Sequence, residues 1–386
     1  EDEKHLAPSR TFARALLGTV DEATAEDLER APDLYAVGDQ VGHGGLSQRY
    51  DELLRGVPGR VIVVQRATDD DSGEADEVEL WRQDPVPGED LAITLDRKVQ
   101  TAAEAALATG GGVSALVAIR ISDGSVVAVA NMADGEANPV NLALTAQVPP
   151  GSTFKMVTGY ALLAAGVVEL DSEVPCPREV TVEGRAFRNS NGFGLGDVPF
   201  RTAMARSCNT TFVALAPQLP ADGLAAAGAE LGIGGDWDLG VETFTGSVST
   251  GGSATERAAA AFGQGTTVVS PVAMAAATAA VARGAWLPPR LLVDSPDAEA
   301  VPLDEAAVAD LRGALREVVT SGTARSLSGV PGGEVFGKTG SAEYQDGSED
   351  THAWFVGWQG DLAFAVFVAE GGSGADAAVP IARDFL

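Results

Sequence analysis

Ser152 and Lys155, in Pro150-Gly151-Ser152-Thr153-Phe154-Lys155, are of the types and spacing that acyl transfer needs. The stretch reads as a tight turn feeding the first turn of a helix, with Ser152 at the cap. Three residues on, the Lys155 amine falls on the same face as the Ser152 hydroxyl. A serine hydroxyl is a poor nucleophile until a neighbour takes its proton. A lysine can do so only when burial or nearby positive charge has driven its own proton off. The helix start adds partial positive charge and free N–H groups. The same residues also fit a plain capping serine beside a solvated lysine.

Lysine usage separates the two readings. Of 26 basic side chains only four are lysines: Lys4, Lys98, Lys155 and Lys338. Where positive charge alone suffices, the chain uses arginine, which cannot act as a base at ordinary pH. Two of the four lysines lie in short motifs of catalytic type.

Downstream come Ser207-Cys208-Asn209 and Lys338-Thr339-Gly340-Ser341. The order is S-x-x-K, S-x-N, K-T-G, with 55 residues between the serines and 131 from Ser207 to Lys338. Each element alone is common; all three in order form a constellation. Ser152 can attack a carbonyl carbon while Lys155 takes its proton. Ser207 can relay a proton to the leaving nitrogen, and Asn209 can fix Lys155 and bond a substrate amide. Lys338 offers charge to a carboxylate and lowers the pKa of Lys155 by proximity. Thr339 offers that carboxylate a hydroxyl. The backbone N–H groups of Ser152 and Ser341 would form an oxyanion hole, at roughly 3–4 kcal/mol per donor. No Ser-His-Asp set competes. His352, in Thr351-His352-Ala353-Trp354-Phe355, reads as a strand-end residue, and His43, between glycines, as a turn residue.

These residues need a scaffold. Thr94 is expected to cap a helix running to about Leu107. Ala115 to Ile121 and Ser125 to Ala130 read as a hairpin about Ser122-Asp123-Gly124. A helix-rich middle runs from Ser152 to about Ser321, broken by an extended Glu173 to Arg188. Gly333 to Ala342, Ala353 to Trp358 and Leu362 to Ala369 read as strands, and Ala375 to Phe385 as a closing helix. Strands at both ends with helices between imply one sheet built from distant parts of the chain. Pro85-Val86-Pro87-Gly88 marks a boundary with a smaller front unit. There, Thr11 to Gly18 and Glu22 to Ala31 read as helices. Gly44 leads into a helix carrying Leu46, Tyr50, Leu53 and Leu54 on one face. Val61 to Val64 and Val78 to Trp81 are strands about an acidic loop, Asp69 to Asp76. The expected domains are residues 1–88 and 89–386, together an α+β chain.

The 386 residues suit two domains and 45% hydrophobic content suits a packed core. A net charge of −29 makes nucleic acid and anionic membranes poor partners. There is no apolar run of 18 residues and no signal peptide; an opening on Glu1 suggests a trimmed or mature piece. Cys176 and Cys208 are open between one disulfide and two buried thiols.

With these motifs the chain resembles a class B penicillin-binding protein of actinobacterial type. The stretch from Gly44-Gly45-Leu46 through Tyr50-Asp51-Glu52-Leu53-Leu54-Arg55-Gly56 is similar to that family's pedestal motif. Thr94-Leu95-Asp96, Gly263-Gln264-Gly265 with Ser270-Pro271, Ser321-Gly322-Thr323-Ala324 and His352-Ala353-Trp354-Phe355 resemble its other recurrent segments. The family's pedestal-opening R-G-x-I-x-D-R-x-G stretch and its membrane anchor are missing. The resemblance implies a central antiparallel sheet flanked by helices, an all-helical lobe and a pedestal domain. It implies a D,D-transpeptidase cross-linking peptidoglycan stem peptides that end in D-Ala-D-Ala, on the outer face of the plasma membrane. Thr339, Gly340 and Ser341 would bind substrate, β-lactams would acylate Ser152, and a membrane glycan polymerase would be a partner, with no cofactor or metal. The alternatives are a D,D-carboxypeptidase or serine β-lactamase of the same fold, or a non-catalytic β-lactam sensor or scaffold. The pedestal argues against the β-lactamase. An exported protein would allow Cys176 and Cys208 to pair.

Overall fold

A computed structural model describes residues 7–66, 76–343 and 351–386. The chain divides into two compact units, residues 16–92 and residues 93–386 with 7–15.

The smaller unit is α+β. Strands Thr19–Glu22 and Gln40–His43 pair antiparallel, and Arg60–Arg66 pairs with Asp76–Gln83. Thr24 caps the helix Ala25–Arg30 in a reciprocal box with Asp27. Asp27 is buried and bonds His43 Nε2 at 2.7 Å, so His43 stitches the turn to the helix. The expected helices are shorter here. Residues Thr19–Glu22 are strand, only Arg14–Leu17 is helical near the front, and the Leu46–Leu54 helix breaks at Tyr50. The strand fills the gap between the two expected helices and takes only Glu22 from the second, through pairing with Gln40–His43. The expected acidic loop falls largely on residues 67–75, outside the described residues.

The larger unit is built on a six-stranded, wholly antiparallel sheet. Its order is Val335–Glu343, Thr351–Gln359, Leu362–Val368, Val113–Arg120, Val126–Ala133, Glu136–Ala137. The strands therefore come from both ends of the unit, as the pattern of distant strands requires. Val113–Arg120 and Val126–Ala133 are buried along nearly their whole length, which explains unbroken rather than alternating apolar runs. The helices Arg97–Gly110, Pro271–Arg283 and Val379–Phe385 pack in the same core. Where Val126–Ala133 has only a two-residue neighbour, Gln100 closes its edge. Its amide donates to Val129 O at 3.0 Å and accepts from Val129 N at 2.7 Å.

Two local expectations change. Asp96, not Thr94, caps the helix Arg97–Gly110, accepting from Lys98 N and Val99 N. Thr94 is held in extended backbone, where its hydroxyl donates to Val126 O at 2.8 Å. The closing helix starts as a wide π-turn at Gly374–Ala378, and only Val379–Phe385 is α-helical.

The helical lobe carries Lys155–Ala164, Phe200–Ala205, Asn209–Leu215, Gly223–Glu230, Ala254–Ala260 and Glu305–Thr320. The extended break resolves into two hairpins, Glu173–Cys176 with Gly196–Pro199 and Glu179–Val182 with Arg185–Arg188. Cys176 and Cys208 are joined in a disulfide that ties the first hairpin to the start of Asn209–Leu215. Closing this 32-residue separation should stabilise the fold by about 3–4 kcal/mol in the chain-entropy account. A Cys176→Ala/Cys208→Ala variant should lose about that much in denaturant unfolding, and the unreduced, unfolded wild type should titrate no thiol.

Candidate functional site

The nucleophile-type serine sits on a 3₁₀ turn, Gly151–Phe154, that runs straight into the α-helix Lys155–Ala164. Ser152 is thus not the side-chain cap expected from the sequence: no cap bond to the backbone is made. Its hydroxyl is turned to Lys155 instead, whose Nζ lies 2.9 Å away.

Two glycines let backbone press on this turn. Gly151 has φ +52°, and a Cβ there would stand 2.4 Å from the Ser341 carbonyl oxygen. Gly263 has φ +79°, and a Cβ there would stand 2.0 Å from Gly151 O. Gly151 N donates to Gly263 O at 2.9 Å. The turn is thereby wedged against the edge strand Val335–Glu343, with the peptides of Gly151 and Ser341 in direct contact. Ser152 and Ser341 therefore share one stretch of apposed backbone.

Lys155 is fully buried and Nζ meets four oxygens: Ser152 Oγ, Ser207 O at 2.9 Å, Ser207 Oγ at 3.1 Å and Asn209 Oδ1 at 2.5 Å. Asn209 is oriented by its own amide, since Nδ2 donates to Arg188 O at 3.0 Å and leaves Oδ1 facing the amine. Lys338 is also fully buried, and Nζ donates to Ser207 Oγ at 2.8 Å and Thr339 O at 3.0 Å. Ser207 holds φ +57°, a left-handed backbone that aims both its carbonyl and its hydroxyl at Lys155.

Among the described residues neither lysine has a carboxylate within ion-pair distance. Burial, and then the charge of Lys338, hold the Lys155 pKa well below the usual lysine value. Burial alone lowers Lys338 to about 7. The donor count is consistent with a neutral Lys155. A neutral amine has two N–H groups and one lone pair. Asn209 Oδ1 and the Ser207 carbonyl can only accept, so they take the two N–H groups. The lone pair is then left for a hydroxyl, and Ser152 Oγ can surrender its proton to it.

All the sequence-predicted site residues come together here. Thr339 Oγ1 lies 2.6 Å from Thr323 Oγ1, and Ser341 Oγ accepts from Gly374 N at 3.1 Å. Gly340 lies against Pro150 and Thr153 of the turn. His352 Nδ1 bonds Ala369 O at 2.7 Å and belongs to the sheet. Sequence reasoning gave no role to Arg188, Gly263, Thr323 or Gly374. Two of these lie in the recurrent stretches Gly263-Gln264-Gly265 and Ser321-Gly322-Thr323, which were the available signal. Arg188 acts through its carbonyl, which no side-chain pattern reveals.

A profile of the penicillin-binding protein transpeptidase domain matches residues 114–386, and one of the penicillin-binding protein dimerisation domain matches residues 3–93. Peptidoglycan D,D-transpeptidase MrdA of Acinetobacter baumannii is 25% identical over 94% of this chain and 62% of its own length. Peptidoglycan D,D-transpeptidase PbpA of Mycobacterium tuberculosis is 29% identical over 65% of this chain and 57% of its own. The chain thus spans about three fifths of the length of these curated relatives. Among solved structures, Pseudomonas aeruginosa PBP2 in complex with WCK 5153 aligns with a TM-score of 0.78 at 25% identity, over 97% of this chain and 88% of that one. A structure on the coordination of polymerization and crosslinking by a peptidoglycan synthase complex aligns at 0.80 and 28% identity, over 96% of this chain and 73% of that one.

The depressed lysines make stability depend on pH with a definite sign. Between about pH 7 and the ordinary lysine value of about 10.4, the unfolded chain keeps a proton on residue 338 that the folded chain has released. The unfolded state then binds more protons, so this contribution to stability rises with pH. It is smallest below pH 7, where a buried ammonium must be tolerated. Lys338→Met should flatten the rise in unfolding free energy between pH 7 and pH 10, read from denaturant curves on both proteins.

Proposed function

The chain belongs to the penicillin-binding proteins that carry a transpeptidase domain, and on that premise we propose that it is a peptidoglycan D,D-transpeptidase. One observation carries the reading: a fully buried lysine, its pKa held well below the usual value by burial and by Lys338, with Nζ 2.9 Å from Ser152 Oγ and bonded to Asn209 Oδ1 and the Ser207 carbonyl.

In this reading Lys155 takes the Ser152 proton as Oγ attacks the carbonyl of a D-Ala-D-Ala peptide. The N–H groups of Ser152 and Ser341 stabilise the oxyanion. Ser207, bonded to both lysines, passes a proton to the leaving nitrogen, and Lys338 with Thr339 holds the leaving carboxylate. Gly340 keeps strand and turn in contact. An amine from a neighbouring stem peptide then takes the acyl group. Residues 1–88 serve as the pedestal and 89–386 as the transpeptidase domain. The site works on the outer face of the plasma membrane beside a glycan polymerase. Among the described residues no helix is long and apolar enough to cross a membrane. The pairing of Cys176 with Cys208 fits an exported chain.

A hydrolytic β-lactamase needs a device to activate water, and among the described residues the glutamates between the second and third motifs are engaged elsewhere or exposed. No asparagine follows Asn209 in the sequence to pair with a deacylating glutamate. Glu230 bonds Tyr160, Glu256 closes the Ser253 cap, Glu317 bonds Thr202 and Glu334 bonds Arg316. Glu242 and Glu299 are exposed, and Glu305 lies in the first turn of its helix.

Incubation with a fluorescent penicillin should give one covalent adduct on Ser152, read by intact-mass and peptide mass spectrometry. Lys155→Arg keeps the charge and cannot accept a proton, so acylation should fall by about 10²–10⁴-fold, the usual range for a lost general base. Near-normal labelling of that variant would contradict the base assignment.

The adduct itself should persist. In a chase after stoichiometric labelling, unmodified Ser152 should return over many minutes. Full recovery within seconds, with many turnovers of penicillin, would assign the chain to the β-lactamases.

A further inference from the structure

Beside the site lies a cavity of about 540 Å³ with a polar lining that includes Arg206, Thr323, Arg325 and Ser326. It meets the catalytic residues at two points. Arg206 is the residue before Ser207, and Thr323 shares a 2.6 Å hydrogen bond with Thr339. In the transpeptidase reading, on which this inference rests, Ser207 serves the leaving nitrogen and Thr339 the leaving carboxylate. The cavity therefore adjoins the two residues that serve the leaving group in that reading.

Two guanidinium groups line this one cavity of a strongly acidic chain. Acidic residues number 55 against 26 basic ones, so most guanidinium groups have a carboxylate or carbonyl close by. Arg201, Arg290 and Arg316 pair with carboxylates; Arg283 and Arg312 bond backbone carbonyls. Arg206 and Arg325 are exposed and, among the described residues, their guanidinium groups have no ion pair or hydrogen bond. Two unpaired guanidinium groups on one cavity are a ready-made seat for a carboxylate, which each can grip with two parallel N–H donors.

We propose that the cavity between Arg206 and Arg325 seats a carboxylate of the acceptor, so that the enzyme selects an amine borne on a carbon that also carries a carboxylate. The second half-reaction reverses the bond changes of the first, so the incoming amine occupies the place the first amine left. Its nitrogen attacks the acyl carbonyl carbon and the carbon–Oγ bond to Ser152 breaks. The proton lost from the amine returns, through Ser207 and Lys155, to Ser152 Oγ. The products are a new amide and free serine, with no other reactant. The arginine pair would fix the acceptor beside this path without touching the reacting atoms, which makes both residues specificity determinants.

The test uses the full chain and a thioester of an N-acyl D-alanine as donor, which forms the acyl-enzyme without a terminal carboxylate on the leaving group. Three acceptors are compared at equal free-amine concentration: D-norleucine, its carboxamide, and pentylamine. Hydrolysis without acceptor is measured alongside, so that aminolysis is read as a ratio to water. Wild type should favour D-norleucine over the carboxamide by about tenfold or more, as two partly exposed charge-assisted contacts would give. In Arg206→Gln/Arg325→Gln that preference should shrink to about twofold or less, with the melting temperature recorded as a folding control. Single arginine variants should fall between. A preference that survives in the double variant would show that Lys338 and Thr339 alone hold the carboxylate, and would overturn the proposal. So would a wild type indifferent to the carboxylate. If the thioester and penicillin leave Ser152 unmodified in wild type, the transpeptidase reading itself fails and this inference falls with it.

Discussion

Two lysine amines buried around one hydroxyl, with no carboxylate within ion-pair distance among the described residues, are the constraint on which the site depends. Lys155 and Lys338 both reach Ser207 Oγ, at 3.1 and 2.8 Å. A buried carboxylate beside them would hold both protonated, and Lys155 could not act as a base. Leaving that carboxylate out costs stability at low and neutral pH, because charge must be either tolerated or lost in a dry interior. The fold meets this cost with fixed dipoles: two carbonyl-type oxygens on Lys155 and a backbone carbonyl on Lys338. These satisfy N–H groups without fixing a proton as firmly as an anion would.

Rigidity follows from the same need. The Ser207 carbonyl reaches Lys155 only because Ser207 takes a left-handed backbone, which a non-glycine residue holds only when its surroundings enforce it. Its immediate neighbour, Cys208, is bonded to Cys176, and Asn209 begins a helix whose Thr210 and Thr211 hydroxyls donate to Pro177 O and Pro175 O at 2.7 Å each. The hairpin strand Glu173–Cys176 and the S-x-N turn thus act as one piece. On the other side, Gly151 and Gly263 allow the serine turn to rest directly on the edge strand and on the following loop. Serine, lysine and strand are registered by backbone contact rather than by adaptable side chains.

In the proposed reading, catalytic power and specificity are divided in space. The reacting groups lie in a dry, over-determined centre with short hydrogen bonds. The two exposed arginines sit at the rim, where among the described residues their guanidinium groups have no ion pair or hydrogen bond. A cation at the rim acts on what enters without disturbing the proton balance between the buried lysines, since solvent screens it from them.

Residue types and their spacing pointed by themselves to the proposed chemistry. A chain that writes arginine for charge and keeps lysine in S-x-x-K and K-T-G has marked where a titrating amine is needed, and the order of the motifs carried the family resemblance. Apolar runs and turn residues gave the hairpin at Ser122-Asp123-Gly124 and the strands Gly333 to Ala342, Ala353 to Trp358 and Leu362 to Ala369. These are local signals, and the structure agrees with them. Tertiary contact decided the rest. Asp96, the stronger capping residue, caps the helix, while the Thr94 hydroxyl is engaged by Val126 O of the sheet. Residues Thr19–Glu22 became a strand because Gln40–His43 lay beside them. Ser152 lost its place as a cap because Lys155 offered a better partner across a 3₁₀ turn. The carbonyl of Arg188, the Thr323–Thr339 pair and the arginine cavity bring together residues far apart in sequence. Backbone groups and distant neighbours leave no pattern along the chain, so only the folded protein could show them.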